Sequence, residues 1–258
     1  MKSPAAFGDL IAEAESEPVE GWDFSWFDDR ATEERPSWGY AKMLVPRVET
    51  AQRVLDIQTG GGEVLAGVLA QIRETPDTLA ATESWDPNAA IARRNLSPFG
   101  VSVAVIPDDA DLPFPADQFD LITSRHPTIT IWNEIARVLR PGGTYFSQQV
   151  GAGSNRELTD FIMGPQPVSK RRSAQRAVDQ AKNAGLHVVD LRQESLRTVF
   201  HDVGAVVYFL RKVYWTVPGF TVDEYRDRLS SLHEKIERDG PFVAHAQRFL
   251  IQARKPGQ

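Results

Sequence analysis

Apolar positions along the chain fall into two rhythms. Short runs at Val54-Leu55-Asp56-Ile57, Thr78–Thr82, Val101–Val105, Phe119–Ser124 and Thr144–Val150 predict five buried strands. Between them, Glu63–Ala70, Asn88–Leu96 and Ile129–Leu139 repeat apolar residues at helical spacing. Strand and helix alternating in this way predict an α/β fold with a doubly wound, mostly parallel sheet. A helix at Ser173–Ala184, stopped by Gly185, leads to a long sixth strand at Val188–Phe200, and Arg248–Pro256 supplies the seventh and last. The roughly 45 residues before that last strand are far more than a hairpin needs. Val203–Trp215 and Val222–Arg238, parted by Val217-Pro218-Gly219, read there as a helical lid over the strand ends. Residues 1–50 read as an N-terminal cap. It holds a weak helix at Leu10-Ile11-Ala12, a crowd of aromatics (Trp22, Phe24, Trp26, Phe27, Trp38 and Tyr40), and a helix opened by Ser37. The expected organisation is a cap over 1–50, a core over 51–200, a lid over 201–246 and the last core strand over 247–258.

Composition narrows the function classes. Cysteine is absent, which removes disulfides, thiolate metal sites and thiolate nucleophiles. No run approaches 18 apolar residues, so no membrane span is expected, and no basic segment leads into an apolar core as in a secretory signal. A cytoplasmic protein is the expectation. Charge is uneven: residues 1–150 carry a net −11 and residues 151–258 a net +5. The acidic half would repel nucleic acid at long range, and the basic half is too modest to argue for it. The one dense basic cluster, Lys170-Arg171-Arg172 with Arg176, reads as the solvated start of a helix.

The candidate chemistry begins where the first strand meets Gly60-Gly61-Gly62. Glycines let a backbone turn sharply and approach a ligand closely. A dinucleotide fingerprint wants a third glycine where Leu65 stands, and a phosphate-binding P-loop wants a lysine that is missing. The stretch Asp56–Gly62 resembles the D-x-G-x-G-x-G loop of class I S-adenosylmethionine (SAM)-dependent methyltransferases, with Gln58 in place of the first glycine. Three further stretches resemble the same family: Glu83 followed by a Pro87-led helix, Asp108-Asp109-Ala110-Asp111-Leu112-Pro113-Phe114 with Asp117 to Asp120, and Arg137–Phe146. The likeness is to small-molecule methyltransferases of the ubiquinone and menaquinone biosynthesis kind.

That resemblance implies a Rossmann-like methyltransferase fold, SAM as cofactor and no metal. It implies cofactor contacts at Asp56, Gln58, Thr59, Gly60, Gly62, Glu83, Ser84, Trp85, Asp108, Asp109, Ala110 and Ser124. Glu83 would take the ribose hydroxyls, and Asp108 or Asp109 the exocyclic amine of adenine. Gln58 is expected to bend toward the methionine end of SAM or to narrow that pocket. The residues themselves add Arg125 and His126 after the fourth strand, at the edge where a doubly wound sheet opens its crevice. His126 is the candidate base and Arg125 the candidate holder of an anionic or polar acceptor. Trp38 and Tyr40 are candidate substrate contacts, since aromatic rings favour flat or cationic ligands. The expected function is methyl transfer to an O or N atom of a small molecule. A methyltransferase acting on RNA or protein, and a non-catalytic nucleoside-binding protein, remain the alternatives. A second copy of the chain, as a homodimer, is the remaining candidate partner.

Overall fold

The computed structural model describes residues 6–19 and 25–257. Trp22 and Phe24 lie outside the described residues. The chain divides into two compact units. The larger comprises Pro36–Ala152, Lys170–Glu194 and Arg248–Gln258, and the smaller Met1–Arg35, Gly153–Ser169 and Ser195–Gln247.

In the larger unit, β2 (Arg53–Asp56), β3 (Thr78–Glu83), β4 (Ser102–Val105), β5 (Phe119–Arg125) and β6 (Leu139–Val150) run parallel. Parallel pairing brings their carboxyl ends, and the loops that follow, to one edge of the sheet. Asp56 registers with Thr123, and Arg125 with Gln148. Neighbouring strand residues point to opposite faces, and the core divides accordingly. Leu55, Ile122 and Tyr145 join one buried cluster with Ile135 of α5 (Trp132–Val138) and Ala177 and Ala181 of α7 (Ala174–Asn183). Val54, Leu121 and Phe146 join another with Leu44 of α2 (Tyr40–Thr50), Leu65 of α3 (Glu63–Leu69) and Leu96 of α4 (Asp86–Leu96). Helices on both faces make the sheet doubly wound, as the periodicity predicts. Ser173 caps α7, its Oγ accepting from the Arg176 N–H at 3.3 Å.

The smaller unit contains α1 (Phe7–Ser16), β1 (Ala31–Glu33), α6 (Arg156–Met163), α8 (Val203–Lys212) and α9 (Val222–Asp239). Every residue from Val203 to Leu210 is buried, so α8 is a core helix, apolar on all sides. Its cap is Asp202, which accepts the Ala205 N–H at 2.8 Å and two guanidinium bonds from Arg30, each 2.9 Å. The two expected helices of the insertion are thus α8 and α9.

Among the described residues the sheet has eight strands, with β7 (His187–Phe200) and β8 (Phe242–Arg254), in the order β1-β7-β8-β6-β5-β2-β3-β4, where the sequence predicts seven. The addition is β1, which pairs antiparallel with the end of β7 from Ala31 opposite Phe200. Three residues with no apolar run carry no periodicity; the partner strand makes them extended. The last strand, β8, pairs antiparallel with β6. Two local expectations also change. Ser37 does not cap a helix: its N–H and hydroxyl both donate to Glu194, and α2 starts after Gly39. The fifth parallel strand starts at Leu139 rather than Thr144, through a register shift between Phe119 and Leu121. Gly143 permits it, since a Cβ there would lie 2.8 Å from the Arg140 carbonyl oxygen.

Candidate active site

The glycine turn after β2 is pinned from the neighbouring strand. Thr82 receives the Gln58 N–H on its hydroxyl at 3.2 Å and the Thr59 N–H on its carbonyl at 2.9 Å. The Glu83 carboxylate accepts the Gly60 N–H at 2.8 Å through one oxygen and the Trp85 N–H at 3.1 Å through the other. Burial raises the Glu83 pKa, those N–H bonds oppose the rise, and the charge of Asp108 adds to it. Gly62, with φ of 78°, passes the turn into α3; a Cβ there would stand 2.8 Å from the Leu96 side chain. Behind the turn, Asp56 is buried and its carboxylate accepts the Thr123 hydroxyl at 2.6 Å. Burial pushes its pKa up to about 6, against the Thr123 bond.

Gln58 has φ of 56°, in the left-handed region that costs a side-chain-bearing residue about 1 kcal/mol or more. Its carboxamide reaches across to the loop after β5. Oε1 accepts the Thr128 N–H at 2.6 Å and lies 3.1 Å from the Thr128 hydroxyl, while Nε2 donates to the Ile129 carbonyl at 2.7 Å. The Thr128 hydroxyl in turn donates to Asp108. Gln58, Ile129 and Asp108, with Ile57, Ile106, Ala110, Leu112, Ser124 and Tyr145, line a cavity of about 10 Å³. That is room for about one water, where a drug-sized ligand needs ~300 Å³ or more. The crevice is closed in this conformation.

A second cluster lies at the ends of β5 and β6. Gln148 anchors it: its Oε1 accepts the Trp38 indole N–H at 2.8 Å, which fixes the amide, and its Nε2 stands 2.9 Å from His126 Nε2. An amide nitrogen donates, so His126 Nε2 accepts and the ring is neutral with its proton on Nδ1. Burial holds the His126 pKa well below its usual value, and the charges of Arg248, Arg125 and Arg172 add to that. The Tyr40 hydroxyl donates to the Ser124 carbonyl at 3.1 Å, and its ring stacks on Phe146. The Ser124 hydroxyl bonds Tyr145 at 2.7 Å and Ser147 at 2.9 Å. Burial raises the Tyr40 and Tyr145 pKa values, so both phenols stay protonated.

Residues 54–143 match the family model described as a methyltransferase domain. They are a class I SAM-dependent methyltransferase domain. SAM is the cofactor of this domain, and the matched residues run from β2 through Gly143, enclosing the glycine turn and the crevice. Among curated proteins none matches the chain. Solved structures share the methyltransferase fold at low identity. A proposed methyltransferase from Bacillus halodurans is 18% identical with a TM-score of 0.60, over 85% of this chain and 100% of that one. The YcgJ protein of Bacillus subtilis is 18% identical with a TM-score of 0.59, over 85% and 99%. A phosphoethanolamine N-methyltransferase of Haemonchus contortus, in complex with phosphomonomethylethanolamine and S-adenosylhomocysteine, is 18% identical with a TM-score of 0.53, over 99% of this chain and 61% of that one.

Within the methyltransferase domain the residues present fit SAM in chemistry. A carboxylate (Asp108) sits beside an apolar slot of Ile106 and Leu112, and a second (Glu83) is fixed at the glycine turn. Gln58, Asp108, Ala110 and Ser124 share the closed cavity. Thr59, Gly60 and Gly62 form the turn. Ser84 is exposed, and Trp85 is 45% exposed at the end of β3. Asp109 lies apart, on an open depression shared with Trp132 and Asn183. Arg125 and His126 do not line the cavity; His126 joins Trp38 through Gln148, and Tyr40 meets the cofactor crevice through Ser124. Thr128, Ile129 and Gln148 escaped the sequence reading. Gln148-Gln149, a polar pair closing an apolar strand run, was the one available signal for Gln148. Among the described residues no helix is long and apolar enough to cross a membrane.

Proposed function

We propose that the chain transfers the SAM methyl to an O or N atom of a small anionic or polar molecule. The observation that carries this reading is the His126–Gln148–Trp38 cluster, which sits on the same sheet edge as the glycine turn. When bound, SAM supplies a methyl group already activated by its sulfonium. The protein's task is then to position and desolvate the acceptor. In this reading Glu83 holds the ribose hydroxyls, Asp108 the adenine amine, and Trp85 lies against the adenosyl group. Asp56 fixes the turn from beneath. Arg125 holds the acceptor's anionic or polar group, with Trp38 and Tyr40 shaping the pocket. His126, neutral with Nε2 engaged, serves the acceptor through its Nδ1–H donor, and as a base only if Gln148 releases it.

Support for a small acceptor comes from charge. The larger net negative charge of residues 1–150 disfavours RNA, and the reading goes with a cytoplasmic enzyme that has no nucleic-acid partner. The test is methyl transfer from labelled SAM to a panel of small phenols, amines and carboxylates, beside bulk RNA and protein. Label in a small phenol, amine or carboxylate supports the reading. Label only in RNA or protein refutes it.

A further inference from the structure

The strap across the crevice is built from one side chain. Gln58 stands where the resembling motif carries glycine, and its backbone adopts φ of 56°, which glycine reaches without strain. Its carboxamide presents an acceptor and a donor side by side. The acceptor is met by the Thr128 N–H at 2.6 Å and the donor meets the Ile129 carbonyl at 2.7 Å. Only one orientation of the amide satisfies both backbone groups. Both belong to the loop after β5, on the ligand edge of the sheet, and Ile129 lines the cavity that Gln58 shares with Asp108, Ala110 and Leu112.

The methionine end of SAM carries the same pair of functions in charged form: a carboxylate that accepts and an ammonium that donates. We propose that the Gln58 carboxamide is an internal stand-in for that aminocarboxylate. It competes for the Thr128 N–H and the Ile129 carbonyl, and it sets how tightly the domain holds SAM. The inference rests on SAM being the cofactor. SAM binds by exchanging two neutral amide hydrogen bonds for two charge-assisted ones, which are stronger. A ligand without the aminocarboxylate cannot make that exchange and leaves Gln58 in place. Gln58 therefore discriminates intact SAM from its truncated nucleosides, at the expense of absolute affinity.

The experiment is calorimetric titration of the full chain and of Gln58→Gly and Gln58→Asn with SAM and with 5′-methylthioadenosine, which lacks the aminocarboxylate. Both substitutions tolerate the left-handed backbone, so the turn is kept; asparagine is one methylene too short to bridge both groups. Losing two competing hydrogen bonds should tighten SAM by about tenfold. Methylthioadenosine affinity should stay within about twofold of the parent. Equal gains for both ligands would make Gln58 a general plug and overturn the inference. A loss of SAM affinity would make it a direct ligand and overturn it too. Parent SAM binding with no change in either variant removes Gln58 alone, whereas no SAM binding by any of the three removes the cofactor assignment with it.

Discussion

Replacing Asp56 by asparagine should stabilise the protein, and more so as pH rises. The carboxylate is buried, with the Thr123 hydroxyl donating to one oxygen at 2.6 Å. An asparagine oxygen can accept the same bond and its NH2 can donate to the Thr59 hydroxyl, which also stabilises the carboxylate, so the substitution removes the charge and keeps both contacts. Burial raises the Asp56 pKa from 3.8 to about 6. The folded state therefore binds the proton more tightly than the unfolded state. Asp56 opposes folding least below pH 3.8 and most above pH 6, because its favourable protonated form is lost as pH rises through the folded pKa. At ~1.4 kcal/mol per unit, the cost of the buried charge is about 3 kcal/mol at pH 8 and about 1.5 kcal/mol at pH 5. Urea unfolding of parent and Asp56→Asn at the two pH values reads the difference directly. A stability gain that is the same at pH 5 and pH 8, or a loss at pH 8, would refute the argument that desolvation dominates at this position.

With Glu83 holding the ribose as proposed, Glu83→Ala should weaken SAM by about 1–3 kcal/mol in a calorimetric titration, since the hydroxyls and the Gly60 and Trp85 N–H groups lose their acceptor; unchanged affinity removes Glu83 from the site. Gly62→Ala should cost about 1–3 kcal/mol of stability by chemical denaturation, because φ is 78° and the new Cβ would stand 2.8 Å from Leu96. A variant as stable as the parent would show that Leu96 and the turn both yield. The pH–rate profiles of parent and His126→Asn should have the same shape between pH 6 and 8, because burial and then the charges of Arg248, Arg125 and Arg172 keep His126 neutral there. A limb near pH 6.5 in the parent, absent from the variant, would make His126 the base after all.

Much of the larger unit is legible because its signals are local. Val54-Leu55-Asp56-Ile57 is apolar for the length of a strand, Gly60 to Gly62 mark the turn, and Pro87 opens α4 within its first turn. What stays hidden depends on distant partners. Ser37 reads as a cap until Glu194, far along the chain, takes both its donors. Ala31–Glu33 is extended only because β7 offers it an edge. Pro141-Gly142-Gly143 signals a stop, yet β6 runs on through it, with Gly142 at φ of 78° and both Gly142 and Gly143 paired with Lys255. At the site, the glycine-to-glutamine departure at position 58 is visible in the sequence, but the direction of the side chain is not. That direction is set by backbone groups of Thr128 and Ile129, and backbone groups leave no trace in residue identity.

The burial of α8 on every side has a consequence for synthesis. Its neighbours in the smaller unit include α1, whose inward residues Leu10, Ile11 and Ala14 share its cluster. Helix α1 leaves the ribosome roughly 190 residues before α8. At about 5–20 residues per second, α1 waits roughly 10–40 s for its partner. A ten-residue helix is marginal alone in water. The nascent chain thus carries the apolar face of α1 without its α8 partner for that interval. The larger unit can begin to fold in that interval, from contacts close in sequence between β2 and α4. Chaperone dependence of this protein should therefore map to Phe7–Ser16 rather than to the methyltransferase domain.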